Sequence, residues 1–127
     1  MSHTGGARVL VVDDEPGIVR AVQTNLGRHD YWVETATTGR AALETYNRVR
    51  PDIVLLDLGL PDMDGLEATR RIRRDFPSTR VLLFTRYEAA DYVAEAVRSG
   101  AAGYSLKGAT RSEILNAVRQ ALRGPAE

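Results

Sequence analysis

The chain has 127 residues, a formal net charge of zero, 43% hydrophobic and 27% charged residues, and no cysteine. Such a length fits one domain with its own core. Disulfides and thiolate metal sites are excluded, no apolar run nears the ~20 residues that span a bilayer, and no global charge draws the chain to nucleic acid or an anionic membrane.

Residues 1–6 lack the apolar core of a signal peptide and are read as a flexible N-terminal segment, which leaves a cytoplasmic location as the expectation. From there strand-like and helix-like patterns alternate five times. Strands are predicted at about 7–12, 31–35, 52–56, 80–84 and 102–106, and helices at about 16–28, 39–49, 65–75, 88–99 and 111–123. The first, third and fourth strands are continuous apolar runs, the pattern of strands buried on both faces of a parallel sheet. The second, Tyr31-Trp32-Val33-Glu34-Thr35, alternates and suits an edge.

Pro16 fits the first turn of the first helix, and Ile18, Val22 and Leu26 mark its apolar face. Asp64 is placed to cap the third helix, Ser99-Gly100 to end the fourth, and Thr110 with Glu113 to form a capping box on the fifth, whose buried stripe is Ile114, Val118 and Leu122. Short connections between alternating elements require right-handed crossovers, so the expected fold is α/β, a five-stranded doubly wound parallel sheet over residues 7–123. Residues 124–127 read as a tail or the start of a linker.

Polar groups stand at the carboxyl ends of four of these strands. Asp13-Asp14 follows Val9-Leu10-Val11-Val12, Asp57 follows Ile53-Val54-Leu55-Leu56, Thr85 follows Val81-Leu82-Leu83-Phe84, and Lys107, the only lysine of the chain, follows Gly103-Tyr104-Ser105-Leu106. Open α/β sheets bind ligands at that edge. Taken singly, each residue has an ordinary role: a turn former or helix cap for the aspartates, a strand-end threonine, a solvated surface lysine. Together they describe a site for a divalent cation and a phosphoryl group. Three clustered carboxylates stay ionised only with positive charge among them, and all-oxygen ligation selects a hard cation, magnesium being the natural candidate. Magnesium would be held by Asp14, Asp57 and a backbone carbonyl of the following loop. Asp57, central in the group, is the candidate nucleophile, with Lys107 and Thr85 on phosphoryl oxygens.

With these residues in place, the chain resembles a receiver domain of a two-component response regulator. The stretches that carry the likeness are Val9 through Pro16, Asp52 through Gly65 (with the specific run Leu60-Pro61-Asp62-Met63-Asp64-Gly65), Leu82 through Thr85, and Gly100 through Lys107. The resemblance implies a flavodoxin-like fold with strand order 2-1-3-4-5. It implies that Asp57 accepts a phosphoryl group from the phosphohistidine of a partner histidine kinase or phosphotransfer protein. It assigns magnesium to Asp14 directly, to Asp13 mainly through water, and to Asp57 and the Gly59 carbonyl. Thr85 and Tyr104 become a switch pair, and the surface built from the fourth helix, fifth strand and fifth helix becomes the output, with homodimerisation through it. The domain itself would bind neither nucleic acid nor membrane, and would regulate transcription through an attached or separate DNA-binding effector domain.

Four positions depart from the common pattern. Arg86, where a small residue is frequent, either crowds the phosphate pocket or turns outward. Gly59 offers no side chain to position an attacking water and Tyr87 would shield the acyl phosphate, so a long-lived phosphoryl group is expected. Gly108 stands where many receivers have proline, and Leu106-Lys107-Gly108-Ala109-Thr110 leans toward members joined to a four-helix DNA-binding domain. Arg70, Arg71, Arg73 and Arg74 form a solvated helix face, Tyr87 and Tyr92 are candidate partner anchors, and His3 and His29 receive no role. The rival functions are an aspartyl-phosphate hydrolase of the haloacid dehalogenase type, which would need an aspartate where Gly59 stands, and an interaction domain indifferent to phosphorylation.

Overall fold

The computed structural model describes residues 6–86 and 90–123, with backbone alone at 90–93. Five strands, β1 (Arg8–Val12), β2 (Trp32–Ala36), β3 (Ile53–Asp57), β4 (Arg80–Thr85) and β5 (Gly103–Leu106), alternate with five helices, α1 (Pro16–Gly27), α2 (Gly39–Val49), α3 (Gly65–Asp75), α4 (Ala90–Arg98) and α5 (Arg111–Arg123). The strands form one parallel sheet in the order β2-β1-β3-β4-β5. Each predicted strand and helix is present, with ends moved by a residue or two. The predicted segments 1–5 and 124–127, His3 and Tyr87 lie outside the described residues, as does the Tyr92 side chain.

Side-chain alternation divides the core into two layers. Val9, Val11, Ile53, Leu55, Leu82 and Phe84 pack on one face against Val22 and Leu26 of α1 and Ile114, Leu115 and Val118 of α5. Leu10, Val12, Val54, Leu56, Val81 and Leu83 pack on the other, against Ala42 and Tyr46 of α2 and Ala96 of α4. This double coverage is why β1, β3 and β4 read as unbroken apolar runs. β2 lies at the sheet edge, with Trp32 exposed and only Ala36 buried.

The helix ends follow the local chemistry. Asp64 Oδ1 accepts from the amides of Leu66 and Glu67 at the start of α3. On α5 the Glu113 amide donates to Thr110 Oγ1 while the Thr110 amide donates to Glu113 Oε1, a reciprocal capping box. After α4, the amides of Gly100 and Ala101 donate to the carbonyls of Val97 and Ala96. Gly100 sits at φ +96°, the left-handed turn that glycine adopts without strain. The acidic run before α1 does not cap it: Glu15 at the N-cap makes no side-chain cap bond. Asp13 instead accepts from the Glu15 amide through Oδ1, at 2.9 Å.

Leu26, fully buried between α1, α5 and the sheet, and Leu43, 60% exposed on α2, test this layering. Urea denaturation of Leu26→Ala is expected to show a loss of about 2–5 kcal/mol, against about 0.5 kcal/mol or less for Leu43→Ala.

Candidate functional site

The register that builds the sheet also brings its polar strand ends together. β1 pairs with β3 through Val12 and Leu56, β3 with β4 through Asp57 and Phe84, and β4 with β5 through Thr85 and Leu106. Backbone bonds carry the ladder one step further, from the Asp13 amide to the Ala36 carbonyl, from the Leu58 amide to that of Phe84, and from the Lys107 amide to that of Thr85 (2.8 Å). Asp13, Asp57 and Lys107 are thereby lined up across neighbouring carboxyl ends, beside the point where the chain passes from the β2 side of β1 to the β3 side.

At this edge Lys107 Nζ lies 3.0 Å from Asp13 Oδ2 and 3.1 Å from Asp57 Oδ2, and all three side chains are almost fully buried. Asp57 Oδ1 accepts from the Gly59 amide at 2.8 Å. Asp14 is exposed at the lip, and carboxylate oxygens of Asp13, Asp14 and Asp57 fall within 4.8 Å of one another. Asp14, Asp57, Thr85 and Lys107 line one cleft of about 280 Å³, together with Glu15 and Arg86. A Cβ added to Gly59 would stand 3.4 Å from Asp57 Oδ1, so any side chain there would touch the central carboxylate.

The electrostatics are those of a crowded acidic site around one ammonium. Burial pushes the Asp13 carboxyl above its ordinary value of 3.8; the Glu15 amide and the ammonium counteract part of this, and the charge of Asp57 adds to it. Burial also pulls the Lys107 ammonium down, but Asp13 and Asp57 together outweigh it and hold the ammonium above 10.5. Glu15 is held below the usual carboxylate range by its bond to Arg86 and the nearby Lys107.

The donor set fits a hard divalent cation. It is all oxygen and acidic, and Asp13 Oδ2 is buried with no hydrogen bond directed at it, its close neighbour being the ammonium.

Tyr104 of β5 is half-buried, packed on the core layer of α2 and α4. It is paired with Leu83 just as Leu106 is paired with Thr85, so Tyr104 and Thr85 belong to the same sheet face, one alternation apart.

One participant, Glu15, was not identified as a site member from the sequence, and Arg86, expected to crowd the phosphate pocket or turn outward, is its partner. Glu15 reads as part of a capping run, yet its Oε2 bonds Arg86 and lies 3.4 Å from Lys107 Nζ. Arg86 neither fills the pocket nor leaves it: it lines the cleft and closes on Glu15 across the mouth. A third contact outside the site is Asp62, which accepts from the Gly39 and Arg40 amides and ties the β3–α3 loop to the start of α2. A sequence signal for Asp62 existed in the Leu60-to-Gly65 run, whereas none links Glu15 to a residue 71 positions away. The arginine-rich α3 is a solvated face as expected, with Arg70 on Glu67 and Glu95 and Arg74 on Asp75. A larger cavity of about 460 Å³ between α2 and α3 has a mainly apolar lining, and of its carboxylates Asp62 and Asp64 are occupied by backbone amides, Glu67 by Arg70 and Asp75 by Arg74.

The family profile described as the response regulator receiver domain matches residues 9–119. Over 115 residues the chain is 41% identical to the transcriptional regulatory protein KdpE of Mycobacterium tuberculosis, covering 91% of this chain and 50% of that protein. Its backbone is similar to that of a LuxR-family two-component response regulator from Aurantimonas sp., with TM-score 0.85 and 33% identity, covering 94% of this chain and 86% of that one. It is also similar to the BeF3-activated N-terminal receiver domain of Klebsiella pneumoniae RstA, with TM-score 0.84 and 30% identity, covering 91% and 98%. The chain thus spans about half the length of KdpE.

The raised Asp13 carboxyl gives a signed pH prediction. A group with a higher pKa folded than unfolded favours the folded state at low pH and costs stability as pH rises above the unfolded value, here 3.8. Asp13→Asn removes that cost. Urea denaturation at a series of pH values above 3.8 is expected to find the variant more stable than the parent, by a margin that grows with pH until the folded carboxyl ionises.

Proposed function

We infer the function of this chain from its membership: it belongs to the response regulator receiver family, and it is a receiver domain of a two-component response regulator. Its relatives include transcriptional regulatory proteins. In the working we propose, Asp57 is the phosphoacceptor, and the observation that carries this is the buried Lys107 ammonium bridging Asp57 and Asp13 beside the exposed Asp14.

The chemistry asks for little covalent machinery. An Asp57 carboxylate oxygen attacks phosphorus in the phosphohistidine of a histidine kinase or phosphotransfer protein. The P–O bond forms as the P–N bond breaks, and the departing imidazole keeps the electron pair. Gly59 N–H on Oδ1 and Lys107 on Oδ2 fix the carboxylate plane before attack. Lys107 then follows the phosphoryl oxygens as a point charge, and the Thr85 hydroxyl donates to another. Asp13, Asp14, Asp57 and the Gly59 carbonyl would hold magnesium, which when bound neutralises charge developing on the phosphoryl oxygens. Gly59 supports a domain that would catalyse only its own phosphotransfer and dephosphorylation rather than act as an ester hydrolase: where a second acid–base carboxylate would stand there is no side chain, and the Gly59 amide donates to Asp57.

Phosphorylation biases a pre-existing two-state equilibrium. Thr85 draws toward the phosphoryl group, and Tyr104, on the same sheet face, turns inward in the space this leaves. The affected surface is the one formed by α4, β5 and α5, where Val97 stands 68% exposed. That surface would carry homodimerisation and control of a DNA-binding effector domain in the cytoplasm. Among the described residues no helix is long and apolar enough to cross a membrane.

Acetyl phosphate with magnesium should place one phosphoryl group on Asp57, located by mass spectrometry of peptides. Chelation of the metal and Asp57→Asn should each reduce labelling to background, and Lys107→Ala should slow it by about 10²-fold, the size of losing one positioned charge. Labelling that survives Asp57→Asn would remove the assignment.

A further inference from the structure

Two cations converge on one carboxylate oxygen at the mouth of the cleft. Glu15 Oε2 is bonded by the Arg86 guanidinium and lies 3.4 Å from Lys107 Nζ, which is itself 3.1 Å from Asp57 Oδ2. An ammonium and a guanidinium arranged around a single anionic oxygen constitute an anion site. Its occupant is a side chain of the protein, partly exposed and carried on the short loop before α1, so it can be exchanged for an anion from outside. Arg86 directly follows Thr85 and lines the same cleft as Asp57.

We propose that Arg86 is a second phosphoryl-binding cation of this receiver, and that Glu15 is an internal competitor which holds Arg86 and Lys107 until the phosphoryl group displaces it. The inference rests on Asp57 being the phosphoacceptor. Glu15 and the arriving phosphoryl group are both anions and want the same two cations. Before transfer the Glu15 carboxylate holds the guanidinium at the mouth of the cleft. During transfer Arg86 turns from Glu15 to an equatorial phosphoryl oxygen, and its planar fork can take two oxygens where Lys107 takes one. Glu15 then swings to solvent. With acetyl phosphate the balance is simple: the P–O bond to Asp57 forms, the P–O bond to acetate breaks, and acetate leaves with the bonding pair. The charge on the transferred group is unchanged, and no proton or further reactant enters.

The experiment is a double-mutant cycle on the initial rate of Asp57 labelling by acetyl phosphate at saturating magnesium, with the site of labelling mapped in each variant. Both side chains are substantially exposed, so neither substitution threatens the core. Arg86→Ala is expected to label about tenfold more slowly, the size of one charge-assisted hydrogen bond, and Arg86→Lys to fall between it and the parent. Glu15→Gln is expected to label several-fold faster, and in the Arg86→Ala background that gain should shrink below about twofold. Titration with inorganic phosphate, followed by NMR of the Glu15 and Arg86 amides, should show tighter binding in Glu15→Gln and weaker binding in Arg86→Ala. If Arg86→Ala labels as fast as the parent or faster, Arg86 is an obstruction or a bystander and the proposal falls. If Glu15→Gln gives the same gain with and without Arg86, Glu15 acts only as a repelling charge and the proposal also falls. Failure of the parent protein to label Asp57 at all would instead overturn the phosphoacceptor assignment on which the proposal stands.

Discussion

The site depends on one ammonium buried between two carboxylates. Lys107 is 5% exposed, Asp13 0% and Asp57 4%. Taking three charges out of water costs several kcal/mol for each, and mutual attraction returns it only where every partner is satisfied. Here the return is incomplete, because two negative charges face one positive charge and Asp13 Oδ2 receives no directed hydrogen bond. An apolar triad of the same volume would serve folding better. A domain that retains such a cluster retains it for what the cluster binds, and the raised Asp13 carboxyl is the thermodynamic trace of that compromise.

The sheet makes this arrangement cheap in conformational terms. Residues on alternate positions share a face, so the pattern that sends Ile53 and Leu55 toward α1 and α5 continues to Asp57. The pattern that sends Val81 and Leu83 toward α2 and α4 continues to Thr85. The cleft is thus lined from both faces of one edge, while Tyr104 shares the Thr85 face and packs into the layer beneath α4. A shift of Thr85 toward a ligand can be felt by Tyr104 without any rearrangement of the other layer. In the switch we propose, rigid strands place the groups and side chains at strand ends move. The response can be no larger than the difference in ligand affinity between the two states.

Most of the fold was legible because each strand carried its environment in its pattern. Continuous apolar runs marked β1, β3 and β4, alternation marked the β2 edge, and turn chemistry at Asp64, Gly100 and Thr110 fixed helix ends. The candidate site was legible for a related reason: in a doubly wound sheet, strand ends are brought together by topology, so Asp13, Asp14, Asp57, Thr85 and Lys107 could be placed without knowing a distance. What stayed hidden was pairing between loops. Glu15 follows two aspartates and precedes a proline, which is the look of a helix start. Arg86 was legible as a residue beside the phosphate pocket, but its partner was not. Nothing periodic relates a residue of the β1–α1 loop to one of the β4–α4 loop, and only the register of the two intervening strand pairs, β1 with β3 and β3 with β4, makes them neighbours.

That hidden pair changes the charge balance of the site. Asp13, Asp14, Glu15 and Asp57 bring four carboxylates to it, while Lys107 and Arg86 bring two cations. With the carboxylates ionised, the residues carry a net charge of −2, which one divalent cation cancels. Without Arg86 the same dication would leave a negative site for a dianionic donor to approach, and without Glu15 the residues and dication together would carry an extra positive charge that any anion could claim. Glu15 and Arg86 contribute no net charge to the balance, yet they supply a cation that can be redirected when a stronger anion arrives. In a cleft where field strength depends on burial, redirecting a charge already present costs less than importing one, which gives an ion pair at the mouth a physical reason to exist.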